Sequence, residues 1–125
     1  MILDTNAVSA LLAGESTIED VLENAERHHL PVIVVGEYLF GLTGSVDRSR
    51  LNSLFRKLIG ESIILDVDQL SGEFYAQIRF ELKQKGRPLP DNDIWIAALL
   101  RQHNLSLVSR DSHFDVVDGV RRISW

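Results

Sequence analysis

Five short runs dense in Ile, Val and Leu punctuate the chain: "MILD", "PVIVV", "SIILD", "SLVS" and "RRISW". Their character is that of strands buried on both faces of a parallel sheet. Adjacent parallel strands need a crossover between them, and helical patterns fill the gaps. This alternation of strand and helix predicts a three-layer α/β/α domain around a five-stranded, mainly parallel sheet.

The helical stretches carry their own boundaries. Ser16 with Glu19 makes a capping-box signature ahead of Ile18, Val21, Leu22 and Ala25 at helical spacing. Leu51, Leu54, Phe55, Leu58 and Ile59 form a second stripe, for which Gly60 is the expected C-cap. Leu70, Phe74, Ile78 and Leu82 mark a third helix, which "KQKGRPLP" must end. "DIWIAALLRQH" is apolar nearly all round and is expected to be buried.

With 125 residues, 45% of them hydrophobic, the chain suits a single domain spanning 1–125. Because cysteine is absent, disulfides and thiolate metal sites are excluded, and a cytoplasmic location is the default expectation. No leader-like segment opens the sequence, and "IWIAALL" falls far short of the roughly 20 residues that span a bilayer, so no membrane association is expected. A formal charge of −5 argues against broad adhesion to nucleic acid or membrane. Any polyanion has to be handled locally.

In an open parallel sheet, ligands bind beyond the carboxyl ends of the strands, where helix N-termini gather. Four acids stand at such junctions. Asp4 ends the first run, Glu37 follows "PVIVV" in the turn or first helical turn, Asp93 opens the buried helix, and Asp111 lies just past "SLVS". Each alone has an ordinary reading as a cap or as a first-turn acid favoured by the helix dipole. Together they repel, and nothing structural requires that concentration unless a cation neutralises it. An oxygen-only donor set suits a hard ion, Mg²⁺ or Mn²⁺, and such ions support phosphoryl chemistry.

At these four positions the sequence resembles the PIN-domain ribonucleases, and within them the VapC-type toxins of type II toxin-antitoxin systems. The matching phrases are "ILDTN", "VVGEYLFGL", "DNDIWIAALL" and "LVSRDSHFD" with a terminal "ISW", in the family's order from end to end. The resemblance implies a Mg²⁺- or Mn²⁺-dependent endoribonuclease whose catalytic and metal-binding quartet is Asp4, Glu37, Asp93 and Asp111. Asp4 and Asp93 would be direct ligands, with Glu37 and Asp111 completing the shell or orienting water. Thr5 or Asn6 and Ser109 fall where the family keeps small polar residues. The resemblance further implies an RNA substrate, a homodimer, and a VapB-type antitoxin whose C-terminal segment crosses the toxin. Tyr38, Leu39, Phe40 and Leu42 are candidate contacts for that partner, with core packing an equal reading.

Some positions stay open. The family-like spacing to "IAA" that the resemblance implies selects Asp93 over Asp91, which looks like the helix cap, and Asp115 is the reserve for Asp111. Asp66 and Asp68 are left out of the site, Asp68 as an N-cap. His28, His29, His103 and His113 lack metal-ligand spacing. Lys83, Lys85, Arg87 and Arg110 are either a solvated face or a phosphate-steering rim. A receiver-type phospho-accepting module would want paired acids at the first strand end, and a haloacid-dehalogenase-like phosphatase an Asp where Asn6 stands. A catalytically inactive PIN fold that only binds RNA or protein is the remaining alternative.

Overall fold

The structure, a computed structural model, describes residues 1–23, 25 and 27–125. Strands Ile2–Leu3 (β1), His29–Pro31 (β2), Ile63–Leu65 (β3), Leu107–Val108 (β4) and Arg122–Ile123 (β5) form one sheet. Their order is β3-β2-β1-β4-β5, and every pairing is parallel. Among the described residues the helices are α1 (Thr5–Leu12), α2 (Ser16–Leu22), α3 (Val32–Leu42), α4 (Arg48–Glu61), α5 (Gln69–Lys85) and α6 (Asp91–His103). A 3-10 turn, Ser112–Val116, leads from β4 to β5. The chain steps outward from β1 in one direction through β2 to β3, then crosses to β4 on the other side. Right-handed crossovers of opposite sense place α1–α4 and α5–α6 on opposite faces, the α/β/α arrangement expected from the alternation.

The strands are short but wholly buried where they meet: Ile2, Leu3, Leu30, Leu107 and Val108 have no exposed surface. Around them Val8, Ile18, Val34, Phe55 and Leu99 complete the main core. A second cluster joins α5 to α6 through Ile78, Leu82, Ile94, Ala97 and Ala98. The burial expected for "IWIAALL" is observed, since every residue from Ile96 to Leu100 is buried.

Three local expectations are corrected. Only Pro31 of "PVIVV" belongs to a strand, and Val32 already starts α3. Val34, Tyr38 and Leu42 are the buried residues of that helix, a four-residue recurrence that extends beyond the apolar run and decides the period. Pro31 suits the junction, because its fixed φ and missing N–H are tolerated at a strand end and helix entrance. The Ser16–Glu19 capping box is not formed: the N-cap is Glu15, which makes no side-chain cap bond, and α2 ends before Ala25. Helix α4 runs through Gly60 to Glu61, and the Ser62 hydroxyl at its C-cap donates to the Leu58 carbonyl at 2.6 Å.

Other boundaries match. Asp68 caps α5, accepting from the Ser71 N–H at 3.0 Å while the Ser71 hydroxyl accepts from the Asp68 N–H at 3.1 Å. Gly86 ends that helix at φ +65°, a left-handed conformation that suits glycine.

Candidate active site

Register aligns the strand exits. Leu3 pairs with Val108, so Asp4 and Ser109 emerge side by side, both buried, at the carboxyl end of the sheet. There a cavity of about 230 Å³ is lined by Asp4, Thr5, Asn6, Glu37, Asp93, Ile96, Asp111 and Phe114. All four acids singled out in the sequence meet in it. They come from the α1 N-cap, the second turn of α3, the first turn of α6 and the loop after β4. Glu37 thus lies one turn deeper in its helix than the sequence suggested.

Asp4 serves two roles. Its Oδ1 accepts from the Ala7 N–H at 2.8 Å, capping α1, while the residue, only 5% exposed, also lines the cavity. Burial pushes its carboxyl above the usual range, against hydrogen bonds from Ser109 and Ala7, and the charges of Asp111 and Glu37 push the same way. Asp93 responds more strongly. Burial first, then Asp111, Glu37 and Asp4, push it up to about 6, opposed by His113. This is the signature of like charges sharing one poorly solvated space.

Hydrogen bonds fix the other two acids. The Thr5 hydroxyl donates to Glu37 Oε1 at 3.4 Å. Asp111 donates its N–H to the Ser109 hydroxyl at 2.9 Å, and its Oδ1 accepts from the His113 N–H at 2.9 Å. The His113 ring lies 2.8 Å from the same oxygen. Sequence spacing gave no sign of that contact, which a single tight turn creates, nor of the apolar wall made by Ile96 and Phe114.

The alternative positions lie outside the acidic cavity. Asp91 makes no cap, since Pro90 is the N-cap of α6. Its carboxylate instead accepts from the Tyr75 hydroxyl at 2.8 Å, outside the cavity. Asp115 is held by Arg122 through two contacts of 2.8 Å. Lys85 bonds Asp118 and the Val116 carbonyl, and Lys83 lines a different cavity from the acids. Tyr38 and Leu42 are buried and Leu39 is partly so, whereas Phe40 is 78% exposed beside Arg48 and Arg56 in a separate cavity.

The side-chain metal donors that line the acidic cavity are oxygens, those of four carboxylates among them, a set that suits a hard divalent ion. Among the described residues no three acids or histidines already close around one point.

A five-stranded parallel sheet in this order, with an acidic cavity at its carboxyl end, defines an α/β domain of the kind suited to metal-assisted phosphoryl chemistry. The chain belongs to the PIN domain family, whose model matches residues 1–120. It is 30% identical over 122 residues to the toxin FitB of Neisseria gonorrhoeae, spanning 90% of this chain and 88% of that one. It is 26% identical to the ribonuclease VapC5 of Mycobacterium tuberculosis, over 98% of this chain and 90% of its relative. The solved FitAcB complex from Neisseria gonorrhoeae superposes with a TM-score of 0.84 at 28% identity, covering 98% of this chain and 95% of that one. DNA-bound VapBC2 from Rickettsia felis shares the fold, with a TM-score of 0.90 at 23% identity over 99% of this chain and 97% of its own.

Proposed function

We propose that this chain is a divalent-metal-dependent endoribonuclease and the toxin of a toxin-antitoxin pair. The observation that carries the reading is the meeting of Asp4, Glu37, Asp93 and Asp111 in one cavity, with Asp93 pushed up to about 6 by its neighbours. Family membership and relatives named as ribonucleases and toxins support it. Mg²⁺ or Mn²⁺, when bound, supplies charge neutralisation and activation of water and phosphate.

The chain's own residues divide the work. Asp4 and Asp93 would hold the cation from a buried helix cap and a helix first turn. Glu37, steadied by Thr5, and Asp111, steadied by Ser109 and His113, orient water for in-line attack on phosphorus. The same relatives support an RNA substrate and a VapB-type antitoxin as partners, and a second copy of this chain in a homodimer is part of the proposal. No helix among the described residues is long and apolar enough to cross a membrane, and the cytoplasm is the proposed location.

A second reading, a PIN fold that binds RNA or protein without cutting, is favoured by one observation, the lack of a closed carboxylate triplet among the described residues. One experiment separates the two. Purified chain freed of partner is given total RNA with Mg²⁺, Mn²⁺ or EDTA, beside Asp4→Asn. Metal-dependent cutting that the variant loses is the expected result. A folded wild-type chain that cuts in neither metal overturns the nuclease and shifts the reading to binding without cutting.

A further inference from the structure

Beside the acidic pocket lies a second cavity, of about 380 Å³, and the exposed Asn6 lines both. Its wall is a stacked cation and aromatic ring: the Arg110 guanidinium carbon lies 4.5 Å from the centroid of the Trp125 indole. Glu15 joins the pair. One of its oxygens accepts from Arg110 at 2.6 Å and from Trp125 Nε1 at 3.2 Å. Arg110 directly precedes Asp111, so chain connectivity fixes its distance from the acids. The Arg110 and Glu15 side chains are 49% and 40% exposed, so the ion pair stands at the solvent boundary, where such pairs are weak and exchangeable.

We propose that this second cavity is the subsite for a nucleotide of single-stranded RNA flanking the phosphate to be cut. The base stacks against the Arg110–Trp125 pair, and its phosphate displaces Glu15 from Arg110. This rests on the ribonuclease reading and deepens it. Three observations carry the assignment. Arg110 is the one cation lining either cavity among the described residues, and a chain of net charge −5 has to meet a polyanion through such a local contact. An indole with a guanidinium on its face is the surface on which unpaired bases stack, and that requirement selects single strands over duplex. Finally, the volume falls within the roughly 300–1,000 Å³ of small-ligand pockets.

A purely structural clasp, with Glu15 tying Trp125 and Arg110 together, predicts the opposite response to one substitution. Glu15→Gln keeps an acceptor for Trp125 Nε1 but removes the charge that competes for Arg110. The subsite requires this variant to bind RNA several-fold more tightly. A clasp requires it to lose stability with no gain in affinity.

The test is made on full-length chain carrying Asp4→Asn, in EDTA, titrated with a short mixed-sequence single-stranded RNA. The chain has two tryptophans, so Trp95→Phe leaves Trp125 as the sole reporter. RNA is expected to quench its emission. Arg110→Gln should weaken binding roughly tenfold and lower the slope of log affinity against log salt by about 0.7. Trp125→Phe, which keeps an apolar ring in place, should weaken binding less than Trp125→Ala, both read by the anisotropy of an end-labelled RNA because the tryptophan reporter is gone. Unchanged affinity and salt slope in both the Arg110 and Glu15 variants, while the wild type still cuts RNA, overturns the subsite and leaves the nuclease standing. A folded wild type that neither binds nor cuts RNA overturns both.

Discussion

Asp93 holds its proton up to about pH 6 because burial and three neighbouring acids oppose its charge. Its folded-state pKa therefore lies above its unfolded value, and the native state binds more protons between about pH 4 and 6. In that window this group's contribution to stability falls as pH rises. Asp93→Asn removes the opposed charge. The variant is expected to be more stable than wild type at pH 7.5 by about 1 kcal/mol, after reducing the ~1.4 kcal/mol per pKa unit for screening at a partly exposed group. The difference should close below about pH 4, where both forms are neutral. Urea midpoints at the two pH values measure it. A variant destabilised at pH 7.5 would show that the carboxylate serves the helix start more than it burdens the cavity.

At the level of the element, legibility followed period and length. Helix α6 was readable because its apolar character persists for three turns, and Asp68 and Gly86 were readable because capping chemistry is local. "PVIVV" was not, since a short β-branched run fits a strand and a helix equally, and only the later recurrence at Tyr38 and Leu42 separates them. The true strand, His29–Pro31, carries a His and a Pro and offers no strand pattern at all. The four acids were legible because each sits where an apolar run turns. Their convergence depended on a strand register that no single segment encodes. Two substitutions test the elements. Leu99→Ala, in a fully buried position of α6, should cost about 2–5 kcal/mol in chemical denaturation. Gly86→Ala, which meets open space but a φ of +65°, should cost only about 1 kcal/mol, through backbone conformation alone.

For the whole molecule, net charge and acidic cavity act together. A chain at −5 that gathers four further-crowded acids at one sheet end gains stability from any cation bound only when folded. By linkage, an ion at a hundred times its dissociation constant adds about 2.7 kcal/mol. Mg²⁺ or Mn²⁺ should therefore raise the melting temperature of wild type, EDTA should reverse the rise, and Asp4→Asn should abolish it. A rise that persists in Asp4→Asn would place the ion elsewhere on the surface.

The place of β1 in the sheet has a consequence in time. β1 lies at the centre, with β2 on one side and β4 on the other, and Ile2 and Leu3 find their partners Leu107 and Val108 only once the much later β4 has been made. Chains emerge from the ribosome N-terminus first. A growing chain therefore carries Asp4 without its facing Asp111 until β4 and the turn after it have been made, so the four acids cannot meet before then.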